Sequence, residues 1–264
     1  MLIVSCDGIG TRRLDASDPR SIVYPLIVRL REKTGARHIR VDWPASLAGI
    51  GGPLSWVEAS RRGVLELDRV VSENPDEDLI LLGYSGGNRV VHEWLDSRPH
   101  LLHRVAAVGL LSDPFRPRGR GQFGVPGVGG FGICGERLGP VPDRTFWCAA
   151  LGDVITDCPE DSPLRTVADL SDRIPGGFLD DFGRHLSLGD WQLASYIQLW
   201  RRDPWGYLWG LGARLDRARR DVEGYLGSAH TRAYILPFET GDGDLRPLTV
   251  RLADSIAWAV RDKV

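Results

Sequence analysis

Long apolar runs are missing from this chain of 264 residues. The longest stretches without Asp, Glu, Lys, Arg or His are 43–57 and 121–135, each of 15 residues, and Gly or Pro interrupts both. Neither is suited to cross a bilayer as a helix. The first residues, MLIVSCDGIG, lack the basic region and the long apolar core of a signal peptide. We therefore expect no signal peptide and no stable membrane insertion.

Cysteine is also scarce, with Cys6, Cys134, Cys148 and Cys158 as its only occurrences. Four cysteines in a chain of this length do not make a disulfide scaffold, and no CxxC spacing indicates zinc, so no metal site is predicted. Cys148 and Cys158 could join as a disulfide that closes a loop. A reduced pair is an equal alternative.

Neither sign of charge dominates, because 33 basic residues face 35 acidic ones, for a net charge of −2. This balance argues against a general binder of polyanions, so nucleic acid is not predicted as a partner. The apolar fraction of 42% and the charged fraction of 26% are typical of a chain that buries a sizeable core.

Strand-like and helix-like segments alternate through the first two-thirds of the chain. The segments that suit buried parallel strands are Leu2–Cys6, His38–Val41, Leu79–Tyr84, Val105–Leu111 and Thr145–Ala150. Apolar residues recur at helical spacing in Ser21–Lys33, Trp56–Glu73 and Asn88–Asp96. This order predicts an α/β protein with a mostly parallel sheet and helices on both faces.

The pattern becomes helical after about residue 160. We predict a helix capped by Ser162, a second over Trp191–Arg202 and a third over Tyr207–Tyr225. Thr231–Pro237 is interpreted as a last short strand or extended segment, before a C-terminal helix. The chain is thus predicted to consist of a catalytic core, 1–158 and 229–264, and a helical insertion, 159–228.

Four of the nine tryptophans lie in this insertion. They either pack the insertion itself or line an apolar groove for substrate, and Trp200, Trp205 and Trp209 are our candidate substrate contacts. The insertion is expected to stand over the carboxyl edge of the sheet and to form one wall of an open cleft. Arg201, Arg202 or Arg214 would lie near its polar rim.

The strongest chemical signal is Gly83-Tyr84-Ser85-Gly86-Gly87, a GxSxG sequence between a predicted strand and a predicted helix. This is the setting of the strained nucleophile elbow of esterases, which needs small residues because helix and strand approach closely. Ser85 would be the nucleophile, with Tyr84 beside the substrate. The N–H of Gly86 would point from the helix N-terminus toward a developing oxyanion.

A nucleophilic serine needs a histidine base and an acid that orients the base. In folds with this elbow the chain order is serine, acid, histidine, and only His185 and His230 follow a plausible acid. His185 lies within the insertion and His230 in a loop just after it, so His230 is the predicted base.

Three aspartates are candidates for the acid. Asp153 follows the second strand after the nucleophile, which is the usual position of the acid, and is preferred. Asp113 ends the strand before it, where Pro114 and Phe115 suggest a role in shaping a loop. Asp157 is four residues further along, in a segment that could be a turn.

Taken together, these motifs resemble the cutinase-like serine esterases of the α/β-hydrolase superfamily. They resemble more narrowly the lysin B enzymes of phages that infect actinobacteria bearing mycolic acids. Shared features are the Gly-Tyr-Ser-x-Gly order, Gly152-Asp153 between Cys148 and Cys158, the late His230, the loop 6–11 after the first strand, and a helical linker at 159–228.

The resemblance implies Ser85, Asp153 and His230 as the triad, with no cofactor. It implies hydrolysis of the ester that joins mycolic acids to arabinogalactan, a lipid–polysaccharide ester of the mycobacterial-type cell envelope. The enzyme would be made in the host cytoplasm and would act on the envelope after holin-dependent or equivalent release. Alternatives are a cutinase-like lipase that acts on other lipid or polymeric esters, and a non-catalytic module that binds the envelope.

Two positions depart from the family pattern. Ile9 stands where cutinases place a Ser or Thr of the oxyanion hole, so the second donor would be the backbone N–H of Ile9. Gly86 stands where relatives often carry Gln, which removes a side chain that could border the site.

Overall fold

A computed structural model describes residues 1–11, 21–47, 49–122, 129–137, 139, 141–173, 201–237 and 243–263. Its centre is one sheet of five strands, β1 Leu2–Cys6, β2 Arg37–Arg40, β3 Leu79–Tyr84, β4 Val105–Leu111 and β5 Thr145–Cys148. The strand order is β2-β1-β3-β4-β5, and every neighbouring pair is parallel. The five predicted parallel strands are thus confirmed, with ends that differ by one or two residues at β2 and β5.

The described α-helices are α1 Tyr24–Thr34, α2 Trp56–Ser72, α3 Gly87–Ser97, α4 Leu164–Arg173, α5 Pro204–Trp209, α6 Leu211–Gly227, α7 Arg232–Ile235 and α8 Leu248–Val260. Apolar residues of α1 and α8 share one core cluster with β3 and β4, and those of α2 and α3 share a second cluster with the other side of the same strands. Helices therefore cover both faces of the sheet, as predicted. Strands β1, β3 and β4 are buried along their whole length because of this double cover.

Between β5 and α7 the described elements are all helical. The predicted helix at Trp191–Arg202 falls mostly outside the described residues, although residues 201–202 are helical. The predicted helix at Tyr207–Tyr225 is divided into α5 and α6, which meet at Gly210.

The prediction of a strand or extended segment at Thr231–Pro237 is wrong, because Arg232–Ile235 forms a helical turn. The turn satisfies its backbone locally, with the N–H of Tyr234 donating to the carbonyl of Thr231 and that of Leu236 to Arg232. It also places Tyr234 in full burial against the core, a tertiary demand that outweighs the strand propensity of its residues.

All four cysteines are free thiols, so Cys148 and Cys158 do not form the disulfide that their spacing left open. Burial raises the pKa of the Cys158 thiol to about 11 and also raises that of Cys148. No helix of the described residues is long and apolar enough to cross a membrane.

Candidate active site

Ser85 occupies a sharp turn between β3 and α3. Its φ of +50° lies in the left-handed region, which is strained for a residue with a side chain. The backbone N–H of Ser85 donates to the carbonyl of Leu111, which ties the turn to β4. A Cβ on Gly87 would lie 2.2 Å from the carbonyl oxygen of Cys6, so only glycine allows α3 to start this close to β1. The geometry is that of the nucleophile elbow.

The two predicted oxyanion donors, Gly86 and Ile9, lie next to each other. A Cβ on Gly86 would come within 2.5 Å of the Ile9 side chain, and both residues line the cavity that holds Ser85. Neither backbone N–H has a hydrogen-bond partner among the described residues. The two N–H groups therefore remain the candidate donors to an oxygen that develops negative charge in this cavity.

The imidazole of His230 is held on three sides. Its Nδ1 lies 3.0 Å from Oδ1 of Asp153. Its ring stacks on Tyr84, at 5.4 Å between centroids, and contacts Tyr225 of α6, at 4.8 Å. The Tyr84 hydroxyl donates to the backbone carbonyl of His230 at 2.8 Å. Ring position and backbone position are thus both set by neighbours from the core and from the insertion.

Asp153 is fully buried, yet every side of its carboxylate has a donor. Oδ1 accepts from Nδ1 of His230 and from the backbone N–H of Ile155. Oδ2 accepts from the hydroxyls of Ser112 at 2.5 Å and Tyr234 at 2.6 Å. These donors replace the hydrogen bonds that water would make to the carboxylate, and so they offset the cost of its burial.

The other two candidate acids have different partners. Asp113 is buried with His92, whose Nε2 lies 2.9 Å from Oδ2, and also accepts from the Trp147 indole. Asp157 accepts from the backbone N–H of Gly130 at 2.6 Å. His185 lies outside the described residues.

A cavity of about 680 Å³ opens at the carboxyl edge of the sheet. Ser85 and His230 are both on its wall, but no hydrogen bond joins their side chains among the described residues. The contact between such a serine and histidine is often long before substrate binds. The rest of the wall is mainly apolar, with Ile9, Ile22, Leu47, Ile50, Trp56, Ile133, Val154 and Ile155 from the core, and Leu164, Ala168, Val222 and Tyr225 from the insertion.

Two of the three predicted tryptophans, Trp205 and Trp209, do not lie at this cavity. Trp205 is 71% exposed and Trp209 85% exposed, and neither lines the cavity, while Trp200 lies outside the described residues. Both exposed tryptophans belong to the short α5, whereas the insertion reaches the cavity through α4 and the second half of α6. Tyr84, the other predicted substrate contact, does line the cavity, and so does Arg232 in place of the three arginines proposed for its rim.

Three residues around the triad escaped the sequence analysis, namely Ser112, Tyr225 and Tyr234. Ser112 had a usable signal, since it directly follows β4 and so had to lie at the same sheet edge as Ser85. No local signal marks the two tyrosines, because their contacts with His230 and Asp153 depend on how α6 and α7 pack. Within the described part of the chain, no group of three or more His, Cys, Asp or Glu side chains could hold a metal ion.

The whole chain is similar in structure to lysin B from Mycobacteriophage D29, with a TM-score of 0.55, 17% sequence identity and 97% of each chain covered. The fold is an α/β-hydrolase fold of the lysin B type. Less similar structures include an acetylxylan esterase, with a TM-score of 0.45, 17% identity and coverage of 69% of this chain and 93% of that one. Another is the Trichoderma reesei cutinase, with a TM-score of 0.41, 20% identity and coverage of 65% and 71%. No protein-family model matches this sequence, and no curated protein does.

Proposed function

We propose that this chain is a serine carboxylic-ester hydrolase. The observation that carries the proposal is one cavity whose wall holds both a strained elbow serine, Ser85, and a histidine, His230, bonded to the buried carboxylate of Asp153. Serine, histidine and aspartate in this order of contact form an acyl-transfer triad on several unrelated folds.

In the proposed reaction Ser85 Oγ attacks the ester carbonyl carbon while Nε2 of His230 takes its proton. The carbonyl oxygen becomes an oxyanion that accepts from the N–H groups of Gly86 and Ile9. The C–O bond to the alcohol breaks, and the imidazolium returns its proton to the leaving oxygen. Water, deprotonated by His230, then attacks the carbonyl carbon of the acyl-enzyme. The bond between this carbon and Ser85 Oγ breaks, the imidazolium returns its proton to Oγ, and the free acid leaves.

For the substrate we propose the ester between mycolic acids and arabinogalactan. The apolar wall of the cavity suits a long acyl chain, and a likeness that covers 97% of this chain is to a phage lysin B. A cutinase-like lipase acting on other esters is the second candidate, because the same apolar wall would accept an acyl chain from any alcohol.

The test is incubation of the purified protein with mycolyl-arabinogalactan, scored for free mycolic acid. We expect release by the wild type, and Ser85→Ala and His230→Ala to lower the rate by at least about 10³-fold, because triad members act as a unit. Release by Ser85→Ala at the wild-type rate would contradict the mechanism.

Two further assays separate the alternatives. Hydrolysis of p-nitrophenyl esters without release of mycolic acid would favour the lipase. An active-site phosphonate that fails to label Ser85 in folded protein, together with binding to envelope material, would favour the non-catalytic module.

A further inference from the structure

The hydroxyl of Ser112 lies between the proposed base and the proposed acid. Its Oγ is 2.5 Å from Oδ2 of Asp153 and 3.1 Å from Nδ1 of His230. Ser112 is fully buried and does not line the cavity, so this hydroxyl contacts the two triad members and cannot contact substrate. The hydroxyl thus connects Oδ2 of Asp153 to Nδ1 of His230, the nitrogen that Oδ1 of Asp153 also contacts.

The chemistry of these three groups gives the hydrogen bonds a direction. A carboxylate only accepts, so the single Ser112 proton must be donated to Asp153. Oγ of Ser112 can then only accept a hydrogen bond from Nδ1 of His230, so the proton of this hydrogen bond must lie on Nδ1. Both acceptors of Nδ1 therefore favour the tautomer with a proton on Nδ1, which leaves Nε2 free to take a proton from Ser85.

The backbone at Ser112 is also held in an unusual conformation. Its φ is +47°, which is uncommon for a residue other than glycine, and its N–H donates to the carbonyl of Cys148 at the end of β5. Strain of this kind persists only where the surroundings determine it, and it is concentrated at functional sites. Here it points the hydroxyl at Asp153 and His230.

We propose that Ser112 is a positioning residue of this triad: its hydroxyl accepts from Nδ1 of His230 and donates to Asp153, which sets the imidazole tautomer and partly neutralises the carboxylate. This inference rests on the proposed serine mechanism. Tyr234 supplies the second hydroxyl to Oδ2, and its own oxygen accepts from the N–H of Ala150. It therefore also donates to Asp153 but does not accept from Nδ1 of His230.

The expected consequence concerns the tautomer of His230. Removal of the Ser112 hydroxyl takes away one of the two acceptors of Nδ1 and one of the donors to Oδ2 of Asp153. The Nδ1-protonated tautomer should therefore lose population in Ser112→Ala, which leaves fewer molecules with a free Nε2 to take the proton of Ser85.

The experiment follows His230 by NMR in the full chain, with ¹⁵N and ¹³C labels in histidine, for the wild type, Ser112→Ala and Ser112→Gly. We expect the Nδ1-protonated tautomer to lose population in both variants, which the ¹⁵N shifts of the two ring nitrogens report. With a p-nitrophenyl ester we also expect kcat to fall about tenfold at a nearly unchanged KM, because Ser112 acts on the base and not on substrate.

The glycine variant removes the backbone strain together with the hydroxyl, so agreement between the two variants assigns the effect to the hydroxyl. Ser60→Ala is the matched control, because Ser60 is equally buried but donates to the carbonyl of Val57 within α2. It should leave both the tautomer of His230 and kcat unchanged. Tyr234→Phe removes the other hydroxyl donor to Oδ2 of Asp153 and should lower kcat in the same direction, and it serves as the test if neither Ser112 variant folds.

Folded Ser112 variants with the wild-type tautomer of His230 and the wild-type kcat would overturn the proposal, even if their melting temperatures fall. A wild type without esterase activity would instead contradict the proposed function. The NMR measurement would still decide whether Ser112 sets the tautomer of the imidazole.

Discussion

Three aspartates follow strands β4 and β5, and each has a different set of donors. Asp153 accepts from His230, Ser112, Tyr234 and the backbone of Ile155. Asp113 faces a buried histidine and an indole, and Asp157 faces a backbone N–H and lies 3.9 Å from Arg116. Burial alone therefore does not separate the three aspartates. The identity of their donors does, because among the three Asp153 is the one bonded to a histidine on the cavity wall.

Asp153→Asn should lower kcat/KM by roughly 10³–10⁴-fold on any ester the enzyme accepts. An amide NH₂ in place of Oδ1 would donate to Nδ1 of His230, so the imidazole would carry its proton on Nε2 and could not accept one from Ser85. Steady-state kinetics on a p-nitrophenyl ester, with circular dichroism to verify folding, measures the effect.

The matched controls are Asp113→Asn and Asp157→Asn. The first weakens the buried contact with His92 and should cost about 1–3 kcal/mol of the free energy of unfolding, with kcat close to that of the wild type. The second should have a smaller effect on both. A larger loss of kcat in Asp157→Asn than in Asp153→Asn would show that Asp157, and not Asp153, is the acid that orients His230.

Helices of the insertion differ in what they contribute to the site. Leu164 and Ala168 of α4 and Val222 and Tyr225 of α6 line the cavity, and Tyr225 also contacts the ring of His230. On the same α6, Leu226 is 76% exposed and lies off the cavity wall. The insertion thus forms one wall through α4 and part of α6.

Val222→Phe tests this wall, because a larger side chain there should occupy part of the 680 Å³ cavity. We expect roughly tenfold lower kcat/KM on long-chain p-nitrophenyl esters and little change on acetyl or butyryl esters. Leu226→Phe on the same helix is the control and should leave the chain-length profile unaltered.

Trp205→Ala and Trp209→Ala should also leave that profile unaltered, because both side chains are exposed away from the cavity. A selective loss on long chains in either tryptophan variant would show that α5 contacts substrate after all.

At the scale of the whole molecule, titratable groups outside the site make folding depend on pH. Between the edge strand β2 and its neighbour β1, Nε2 of the partly buried His38 lies 2.8 Å from the hydroxyl of Ser5. Burial, helped by the charges of Arg31 and Arg40, lowers the pKa of His38 from 6.5 to about 4. Between these two pH values the unfolded chain binds a proton that the folded chain does not, so the free energy of unfolding rises with pH across this window.

The prediction is that the wild type loses stability relative to His38→Gln as the pH falls from 6.5 to 4, by at most about 1.4 kcal/mol per pH unit. Urea unfolding of both proteins at half-unit intervals measures the difference. Comparison of the two proteins at each pH is necessary because burial raises the pKa of Asp7, whose contribution has the opposite sign above about pH 3.8. A difference in the free energy of unfolding that stays constant from pH 4 to 7 would contradict the prediction.

Local sequence determined the architecture and the triad candidates. Apolar runs of five to seven residues predicted β1, β3 and β4, and helical periodicity predicted α1, α2, α3 and α8, because these signals depend on neighbours within the same element. The setting of GxSxG between a strand and a helix marked Ser85, and chain order marked Asp153 and His230. The structure brings these last two within hydrogen-bond distance and places Ser85 in the same cavity.

Only the tertiary structure decided which side chains surround that triad and which lie away from it. Ser112, directly after β4, and Tyr234, in α7, come to Asp153 from 41 and 81 residues away along the chain. The position of Ser112 after a strand indicated the sheet edge but not its contact with Asp153, and no local pattern marked Tyr234. The same holds for the helical turn of α7, which buries Tyr234, and for the exposed tryptophans of α5. Local periodicity describes what an element can bury, whereas the partner it meets depends on long-range packing, which a single sequence does not express.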